Sequence, residues 1–504
     1  MRVPPGKLAP AVAMLLTAFV TAVDTTIMAT SMPTVVGELG GLPLYSWVFA
    51  SFLLTSTTTV PLYGKLADIY GRKPLFLVAS ALFVLGSALC GLATSMEQLI
   101  LFRAVQGIGA GGIYPITLTI AGDVFSFEER AHFQGILSTA WAVGAIAGPG
   151  IGSAIVSLTT WRWVFWINVP IGVITAIIVV ASVQEHVARR RHQIDYLGAA
   201  LLTAGIAALL LALIEGGQTG FAQPLVLGLL AAATLLLALF VWAETRAPEP
   251  VLPLGMLRDR LLGLTSLGAF VLGAAMYTNG SYVPLFIQGV QGGSPWDVGW
   301  VAASMSVCWT LGTFLAARLL PKAGVRAVSL LGMGLIALGA LILTMLGPDS
   351  SVMAVGVASV AINFGLGITS LAFIVVVQSA VGWEQRGVAT AVQQFARNIG
   401  GTVWVSVEGA ALAAVTAGSA AAGLSAGARP EELNVLLEPA ARAALAPEQA
   451  HALAAVLGTG LHQVFWLYLL IALAGLAAVA LLPGGSMADQ AADAAQESLG
   501  TPTS

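Results

Sequence analysis

Charged residues are scarce in this sequence. Asp, Glu, Lys and Arg make up 9% of its 504 residues, whereas a soluble globular protein has roughly 25%. This shortage excludes a soluble domain as the main body of the chain. The net charge of −3 is also too small to indicate a nucleic acid or an acidic surface as a partner, so we expect neither.

Cysteine and histidine are rare as well, with two and five copies. Cys90 and Cys308 fall in apolar segments far apart in the chain, so we interpret them as free thiols that pack as small hydrophobic side chains. None of the histidines has the spacing of a metal site. The sequence therefore predicts no disulfide, no metal and no cofactor.

Catalytic and nucleotide-binding patterns are missing too. The chain has no Gly-rich phosphate loop, which excludes an ATP-driven pump on this chain, and it has no paired histidines or Ser/His/Asp set. A channel needs rings of charge or a filter loop, and neither is present. A membrane-embedded enzyme is the alternative from a different class, and this absence argues against it.

Hydrophobic residues, by contrast, make up 58% of the chain and come in long runs. A spanning helix needs about 20 mostly apolar residues. The sequence therefore predicts an all-α membrane protein of fourteen transmembrane helices. Its fourteen apolar segments cover about 10–33, 45–66, 74–94, 98–123, 132–157, 163–183, 195–215, 222–244, 260–289, 296–320, 326–347, 352–381, 387–416 and 460–482.

The positions of lysine and arginine predict the orientation of these segments. With the N-terminus in the cytoplasm, seventeen of the 21 basic residues lie in cytoplasmic parts of the chain. Arg162, Arg429 and Arg442 would lie outside, and Arg103 lies within the fourth segment. Because basic residues collect on the cytoplasmic side, we expect a plasma-membrane protein with both termini in the cytoplasm.

The two halves of the chain resemble each other. The stretch from Val60 is similar to the stretch from Thr313, 253 residues later, and Gly71 matches Gly324. Chance similarity between Ala/Leu/Gly-rich helices is the alternative. Parallel halves that rock about a midplane site are the plan of one large transporter class. We therefore predict a six-helix bundle at 1–183, two inserted helices at 184–259, a second bundle at 260–483 with an outer loop at about 417–458, and a disordered tail at 484–504.

A glycine-bounded turn with charged residues joins the second and third segments. Residues 64–74 read GKLADIYGRKP, and glycines at both ends permit a tight turn. An acid before the turn and bases after it can form a charged clasp that opens when the halves separate. The ordinary alternative is a basic loop with helix caps. The residues assigned to this cytoplasmic gate are Gly64, Asp68, Gly71, Arg72, Lys73 and, at the end of the fourth segment, Asp123.

Glycines also recur along the fifth segment. The pattern consists of Gly135, Gly144, Gly148, Pro149 and Gly152. Small residues four positions apart let a neighbouring helix approach closely, and the proline permits a kink. Generic packing of small residues is the plainer interpretation.

These patterns resemble those of a known family. Residues 64–74 are similar to the G-x-L-a-D-r-x-G-r-k signature of the major facilitator superfamily, with Ile69 where a base is usual. The fifth segment resembles that superfamily's antiporter signature G-x8-G-x3-G-P-x2-G-G, with Ser153 in place of the last glycine.

Three further stretches narrow the resemblance to the fourteen-helix drug:proton antiporters. Residues 23–33, VDTTIMATSMP, resemble the family's L-D-x-T-[IV]-[IV]-N-x-A-L-P pattern, with Ala29 replacing the usual asparagine. Residues 101–111, LFRAVQGIGAG, resemble R-x-x-Q-G-x-G-x-G, and 161–170, WRWVFWINVP, also fit. The resemblance implies a monomeric exporter with a small-molecule substrate, protons as coupling ions and the lipid bilayer as surroundings.

Three ionisable residues at membrane depth are candidates for proton coupling, because such side chains are costly to insert. We assign Asp24 as the group that takes up and releases the proton and Arg103 as its switchable partner. A static ion pair is the alternative. Glu408 is either a second protonation site or a counter-charge for cationic substrates, unless its side chain reaches water at the outer interface.

Polar and aromatic residues of the second half are weaker candidates for a substrate cavity, since such residues also pack or lie at interfaces. They are Asn279, Tyr282, Phe286, Trp309, Phe364, Gln378 and Trp404. The expected function is proton-coupled export of small lipophilic or cationic compounds by alternating access. The alternative is export of one native compound such as a lipid, a siderophore or an antibiotic.

Overall fold

The computed structural model describes residues 7–125, 127–183, 195–248, 250, 252, 254–381, 386–421 and 430–483. Every regular element within these ranges is helical. The first nine helices are α1 (Leu8–Leu39), α2 (Tyr45–Tyr70), α3 (Arg72–Gly91), α4 (Met96–Val124), α5 (Phe127–Leu158), α6 (Trp163–Trp166), α7 (Asn168–Ser182), α8 (Tyr196–Thr219) and α9 (Pro224–Glu244). The remaining six are α10 (Arg260–Leu285), α11 (Pro295–Thr344), α12 (Val352–Ser379), α13 (Arg386–Ala421), α14 (Pro439–Ala444) and α15 (Pro447–Ala480).

The helices agree with the predicted all-α membrane fold. Twelve stretches of the described residues are long and apolar enough to cross a membrane. One of them is the 50-residue α11, which covers two predicted segments. Helix α2 has 26 residues but falls outside the twelve, since its middle carries the polar run 55–59. All fourteen predicted segments thus coincide with helix, and the chain is a multi-pass membrane protein.

Two glycines end or bend helices at matching places of the two halves. Gly71, between α2 and α3, has a φ of 100°, and Gly324, inside α11, has a φ of 72°. Side chains other than hydrogen rarely tolerate this left-handed backbone region. The match between these positions in the sequence therefore extends to their backbone conformation.

The predicted outer loop differs from its expected bounds. Helix α13 extends to Ala421, and α15 begins at Pro447 rather than near 460. Proline is favoured at the first position of a helix, and an acid such as Glu448 is favoured in the first turn,. A 3-10 helix at Pro430–Leu437 and the short α14 lie between α13 and α15. The loop between α13 and α15 is therefore shorter than predicted, and it contains these two short helices.

Arg442 in α14 fixes this loop to the end of α10. Its guanidinium donates to the carbonyl oxygens of Gln288 and Gly289, at 2.9 and 3.0 Å. These carbonyls belong to the π-helix Phe286–Val290 that follows α10. Burial lowers the pKa of Arg442, yet arginine stays charged at neutral pH. The charge therefore satisfies carbonyls that the helix end leaves open.

Contacts divide the chain into two compact units. The first comprises Met1–Leu252, Gly280–Ala303 and Thr402–Val464, and the second Pro253–Asn279, Ser304–Gly401 and Phe465–Ser504. In the first, α1 packs along α5, α4 packs on both α2 and α3, and α8 packs on α9. In the second, glycines bring α11 close to α12 and α10 close to α13. The two-bundle division inferred from sequence stays a prediction.

Candidate functional site

The glycines of α4 set the position of the buried charges. A Cβ atom at Gly107 would lie 2.6 Å from the carbonyl oxygen of Phe52 in α2. One at Gly109 would lie 2.5 Å from the carbonyl oxygen of Ala79 in α3. Only glycine therefore allows α4 to contact both neighbours at this distance, and the same helix carries Arg103 on the turn before.

Asp24 in α1 is buried, with 2% of its surface exposed. Its Oδ1 accepts hydrogen bonds from Asn168 Nδ2 at 2.7 Å and from Gln106 Nε2 at 2.9 Å. Its Oδ2 lies 3.5 Å from Arg103 Nη1. The carboxylate thus has two neutral donors at short distance and one cation at longer range.

Arg103 is equally buried and has partners of its own. Its Nη1 donates to Gln106 Oε1 at 2.6 Å, which is shorter than its contact with Asp24. The guanidinium carbon lies 4.0 Å from the centre of the Phe52 ring, a distance at which cation–π attraction contributes. The charge of Arg103 is therefore held by Gln106 and Phe52 as well as by Asp24.

Gln106 connects the cluster to α3. Its Nε2 also donates to Ser87 Oγ at 2.8 Å. The sequence patterns did not single out Gln106, Asn168 and Ser87 as functional residues. The first two stand in stretches that carry the family resemblance, so their place in the motifs was an available signal. Neutral amides lack the insertion cost that singles out a charge.

The fifth-helix glycines pack against α1 beside Asp24. A Cβ at Gly144 would lie 2.7 Å from the carbonyl oxygen of Phe19. One at Gly148 would collide with Thr26 Oγ1. Phe19 and Thr26 lie on either side of Asp24 in α1. The glycines of α5 therefore fix the position of the Asp24 carboxylate relative to α4 and α7.

The rest of the glycine pattern continues along the same interface. A Cβ at Gly152 would lie 2.7 Å from the Ile27 side chain. Helix α5 runs through Pro149 without ending. Gly135 also lies in α5, but its surroundings fall outside the described residues.

Glu408 in α13 is fully buried, with 0% exposure, which disagrees with a side chain that reaches water. Tyr282 lies within its electrostatic range. The Tyr282 hydroxyl donates to the Val405 carbonyl oxygen at 2.7 Å, one turn before Glu408. The neighbouring Tyr45 hydroxyl donates to the Ser281 carbonyl oxygen at 2.5 Å. An acid and two tyrosines therefore form a second polar cluster in the first unit.

Comparison with known proteins assigns the family. The Major Facilitator Superfamily matches residues 14–405. The chain belongs to this superfamily and is a membrane transporter. Two relatives come from Bacillus subtilis (strain 168). The multidrug transporter protein MdtP is 35% identical over 395 residues, covering 78% of this chain and 73% of its own. Multidrug resistance protein 3 is 32% identical over 397 residues, covering 79% and 78%.

Solved structures agree on the fold. A bacterial homolog of the human lysosomal transporter Spinster matches with a TM-score of 0.67 at 19% identity, over 95% of this chain and 97% of that one. The nucleoside transporter NupG matches with a TM-score of 0.61 at 11% identity, over 93% and 99%. At such low identity the likeness shows the major facilitator fold alone.

The superfamily's loop between α2 and α3 is only partly described. Arg72 Nη1 donates to the Thr119 carbonyl oxygen at 3.2 Å. Lys73 Nζ donates to the carbonyl oxygens of Val180 and Val183, at 2.7 and 2.9 Å. Lys73 thus binds carbonyls at the end of α7, where a helix favours positive charge, and Arg72 binds a carbonyl of α4. The surroundings of Gly64, Asp68 and Asp123 lie outside the described residues. The cytoplasmic gate as a whole stays a prediction.

The cavity candidates have different surroundings. Tyr282 lines a small pocket, and Phe286 is buried in the π-helix after α10. Trp404 is half-buried, and no partner is seen for its Nε1 among the described atoms. In the second unit, Asn279 Nδ2 lies 3.5 Å from Met305 Sδ.

Two further candidates contribute backbone atoms to helix packing. The carbonyl oxygen of Trp309 lies against Gly367, and that of Phe364 lies against Gly312. Gln378 is in α12, but its side chain lies outside the described residues. A substrate role for any of these candidates stays a prediction.

Arg397 requires a correction. We counted it among the cytoplasmic loop residues, but it lies within α13, inside a stretch apolar enough to span a membrane. Its carbonyl oxygen packs against Gly273 of α10. Counting loop charges from approximate segment ends misplaced it, and it is a further basic residue within a spanning helix.

In the cluster around Asp24, the guanidinium of Arg103 has partners other than the carboxylate. A buried ion pair broken from one side normally leaves the other charge without a partner, which is strongly unfavourable. Here Arg103 keeps Gln106 and Phe52 when Asp24 becomes neutral. The arrangement can therefore hold both protonation states of the carboxyl group without leaving the guanidinium unpaired.

Proposed function

We propose that the protein exports small lipophilic or cationic compounds across the plasma membrane in exchange for protons, by alternating access and as a monomer. Both termini lie in the cytoplasm. The names of two relatives, a multidrug transporter and a multidrug resistance protein, support the substrate class. Among structural observations, the fully enclosed Asp24 cluster carries the proposal, because its buried carboxyl group lies beside a guanidinium that also has other partners.

Asp24 is the coupling group in this proposal. In the charged form it is stabilised by Asn168, Gln106 and Arg103. On protonation the attraction to Arg103 is lost, and Arg103 depends on Gln106 and Phe52. Protonation thus changes which contacts join α1 to α4. Helix α1 also packs on the α5 glycines of the antiporter pattern. A shift of α1 relative to α4 would therefore also alter the contact between α1 and α5.

The test is transport in inside-out vesicles with an imposed proton gradient and a lipophilic cation as substrate. We expect gradient-driven uptake by the wild type and its loss in Asp24→Asn, which retains the shape but cannot exchange a proton. The matched control is Asp349→Asn, the same acid-to-amide change at an exposed position between α11 and α12. It should transport normally.

Each other outcome has a defined meaning. Equal gradient-driven uptake in wild type and Asp24→Asn would place coupling elsewhere, with Glu408 the next residue to test. No uptake by the wild type would contradict export of lipophilic cations and favour an exporter of one native compound.

A further inference from the structure

A small pocket lies between the start of α2, the end of α10 and α13. Its walls include Tyr45, Ser46, Tyr282 and Gly409, and its volume is about 10 Å³. That is about the space needed for one water molecule. A site for a drug-sized ligand is far larger, on the order of 300 Å³ or more. The pocket therefore has room for a water molecule and none for an organic cation.

Ser46 makes the pocket polar. The residue is 1% exposed, and no hydrogen-bond partner is seen for its Oγ among the described atoms. Buried hydroxyls are nearly always paired, often with an ordered water. The hydroxyl oxygens of Tyr45 and Tyr282 donate to backbone carbonyls and still can accept a hydrogen bond. A water here would thus have three hydroxyl partners.

Glu408 is a neighbour of two residues that line this pocket, Gly409 in the sequence and Tyr282 by electrostatic interaction. It immediately precedes Gly409, and a Cβ added at Gly409 would lie 3.3 Å from the Tyr282 hydroxyl. The fully buried carboxyl group needs a route by which a proton can reach it. The pocket is large enough and polar enough to hold a water molecule that carries this proton.

We propose that this pocket holds one ordered water, bound by Ser46, Tyr45 and Tyr282, which passes protons to and from the Glu408 carboxylate. A proton carried by this water moves to a carboxylate oxygen, leaving neutral water and a neutral acid. The reverse step restores the carboxylate. Ser46 is a positioning residue that orients the water. The proposal rests on proton-coupled export, and it assigns Glu408 to proton exchange rather than to direct charge pairing with a substrate here.

Two substitutions alter the pocket in different ways. Ser46→Ala removes the unpaired hydroxyl and leaves the space. Gly409→Ala fills the space, because its Cβ would meet the Ser46 side chain. The matched control is Thr57→Val, which removes another buried hydroxyl of α2 with no partner seen among the described atoms, outside the pocket. Ser46→Thr restores a hydroxyl and serves as the conservative variant.

The measurement compares proton-driven uptake with substrate exchange at equal pH, in proteoliposomes of the full-length protein. Exchange needs no net proton transfer, so a packing defect lowers both rates together. We expect Ser46→Ala and Gly409→Ala to lower the ratio of driven uptake to exchange about tenfold or more, as for a positioned proton-transfer group. Thr57→Val should retain the wild-type ratio, and Ser46→Thr should recover part of it.

Unchanged ratios in both pocket variants would overturn the proposal. So would a Glu408→Gln variant with the wild-type ratio, since the water would then have no acid to serve. Neither result would contradict the proposal that Asp24 is a coupling group. Absence of any proton-driven uptake by the wild type would instead refute the proposed function as a whole.

Discussion

At the scale of single residues, Gln106 stabilises both members of the buried ion pair. It donates to Asp24, accepts from Arg103 and donates to Ser87. One amide therefore supplies a donor to the acid and an acceptor to the base. A glutamine side chain offers both groups without adding a charge.

Replacing Gln106 with methionine should destabilise the protein and impair transport. Asp24 and Arg103 would each lose a hydrogen bond inside the bundle, and an unsatisfied buried group costs about 1–3 kcal/mol. Thermal unfolding in detergent, together with proton-driven uptake, measures both effects. The control is Gln449→Met in α15, where the amide is exposed. Equal melting temperatures for the two variants would show that Gln106 does not stabilise the pair.

Sequence analysis found the charged residues of this site but not the neutral ones. Asp24 and Arg103 were recognisable because a charged side chain within an apolar segment is costly to insert into the membrane, which indicates a functional role. Their contact, at 3.5 Å, depends on how α1 and α4 pack, which single-chain patterns do not specify. Asn168 stands in a stretch that carries the family resemblance, but its contact with Asp24 depends on the fold in the same way, since it begins α7.

At the scale of helices, small residues decide how closely α1 approaches α5. Gly148 and Gly144 present bare backbone to α1, and Thr26 and Phe19 occupy the space that side chains would need. The antiporter pattern is therefore a packing surface in this structure. Its spacing of four residues predicted a close helix contact, but not that α1 is the neighbour.

Gly148→Ala should weaken this contact. The added methyl would collide with Thr26, and overpacking typically costs about 1–3 kcal/mol. We expect a lower melting temperature and reduced uptake. Gly150→Ala is the matched control, because nothing lies within 4 Å of a Cβ there. Alanine at 150 should leave stability equal or slightly higher, by up to about 1 kcal/mol. A Gly148→Ala protein as stable as Gly150→Ala would contradict a tight contact.

At the scale of the whole molecule, the composition and the length of the apolar runs were enough to predict an all-helical membrane protein. Helix ends were less predictable. Helix α15 begins at Pro447, since alanine-rich sequence before residue 460 continues the helix without being apolar enough to mark it as spanning. The predicted break between segments near Gly324 became a bend within α11. Local sequence specifies a turn there, but not how far the helices on each side continue.

The orientation of the whole chain in the membrane is the remaining prediction. With Arg397 placed in α13, sixteen of the 21 basic residues still favour the cytoplasm, so a fluorescent protein fused after residue 504 should fold and fluoresce. Alkaline phosphatase, which needs an oxidising compartment, should be inactive at the same position. The control is the same pair of reporters inserted at 221, in a loop on the predicted outer side. Active phosphatase at the C-terminus would reverse the orientation.

The two cysteines provide a built-in attachment point for a probe. Cys90 is buried beside Gln106, with Sγ 3.9 Å from its Oε1, whereas Cys308 in α11 is only half-buried. A thiol-reactive fluorophore should therefore modify Cys308 first. Single-molecule recordings of α11 become feasible in the unmodified sequence, without first deleting native thiols.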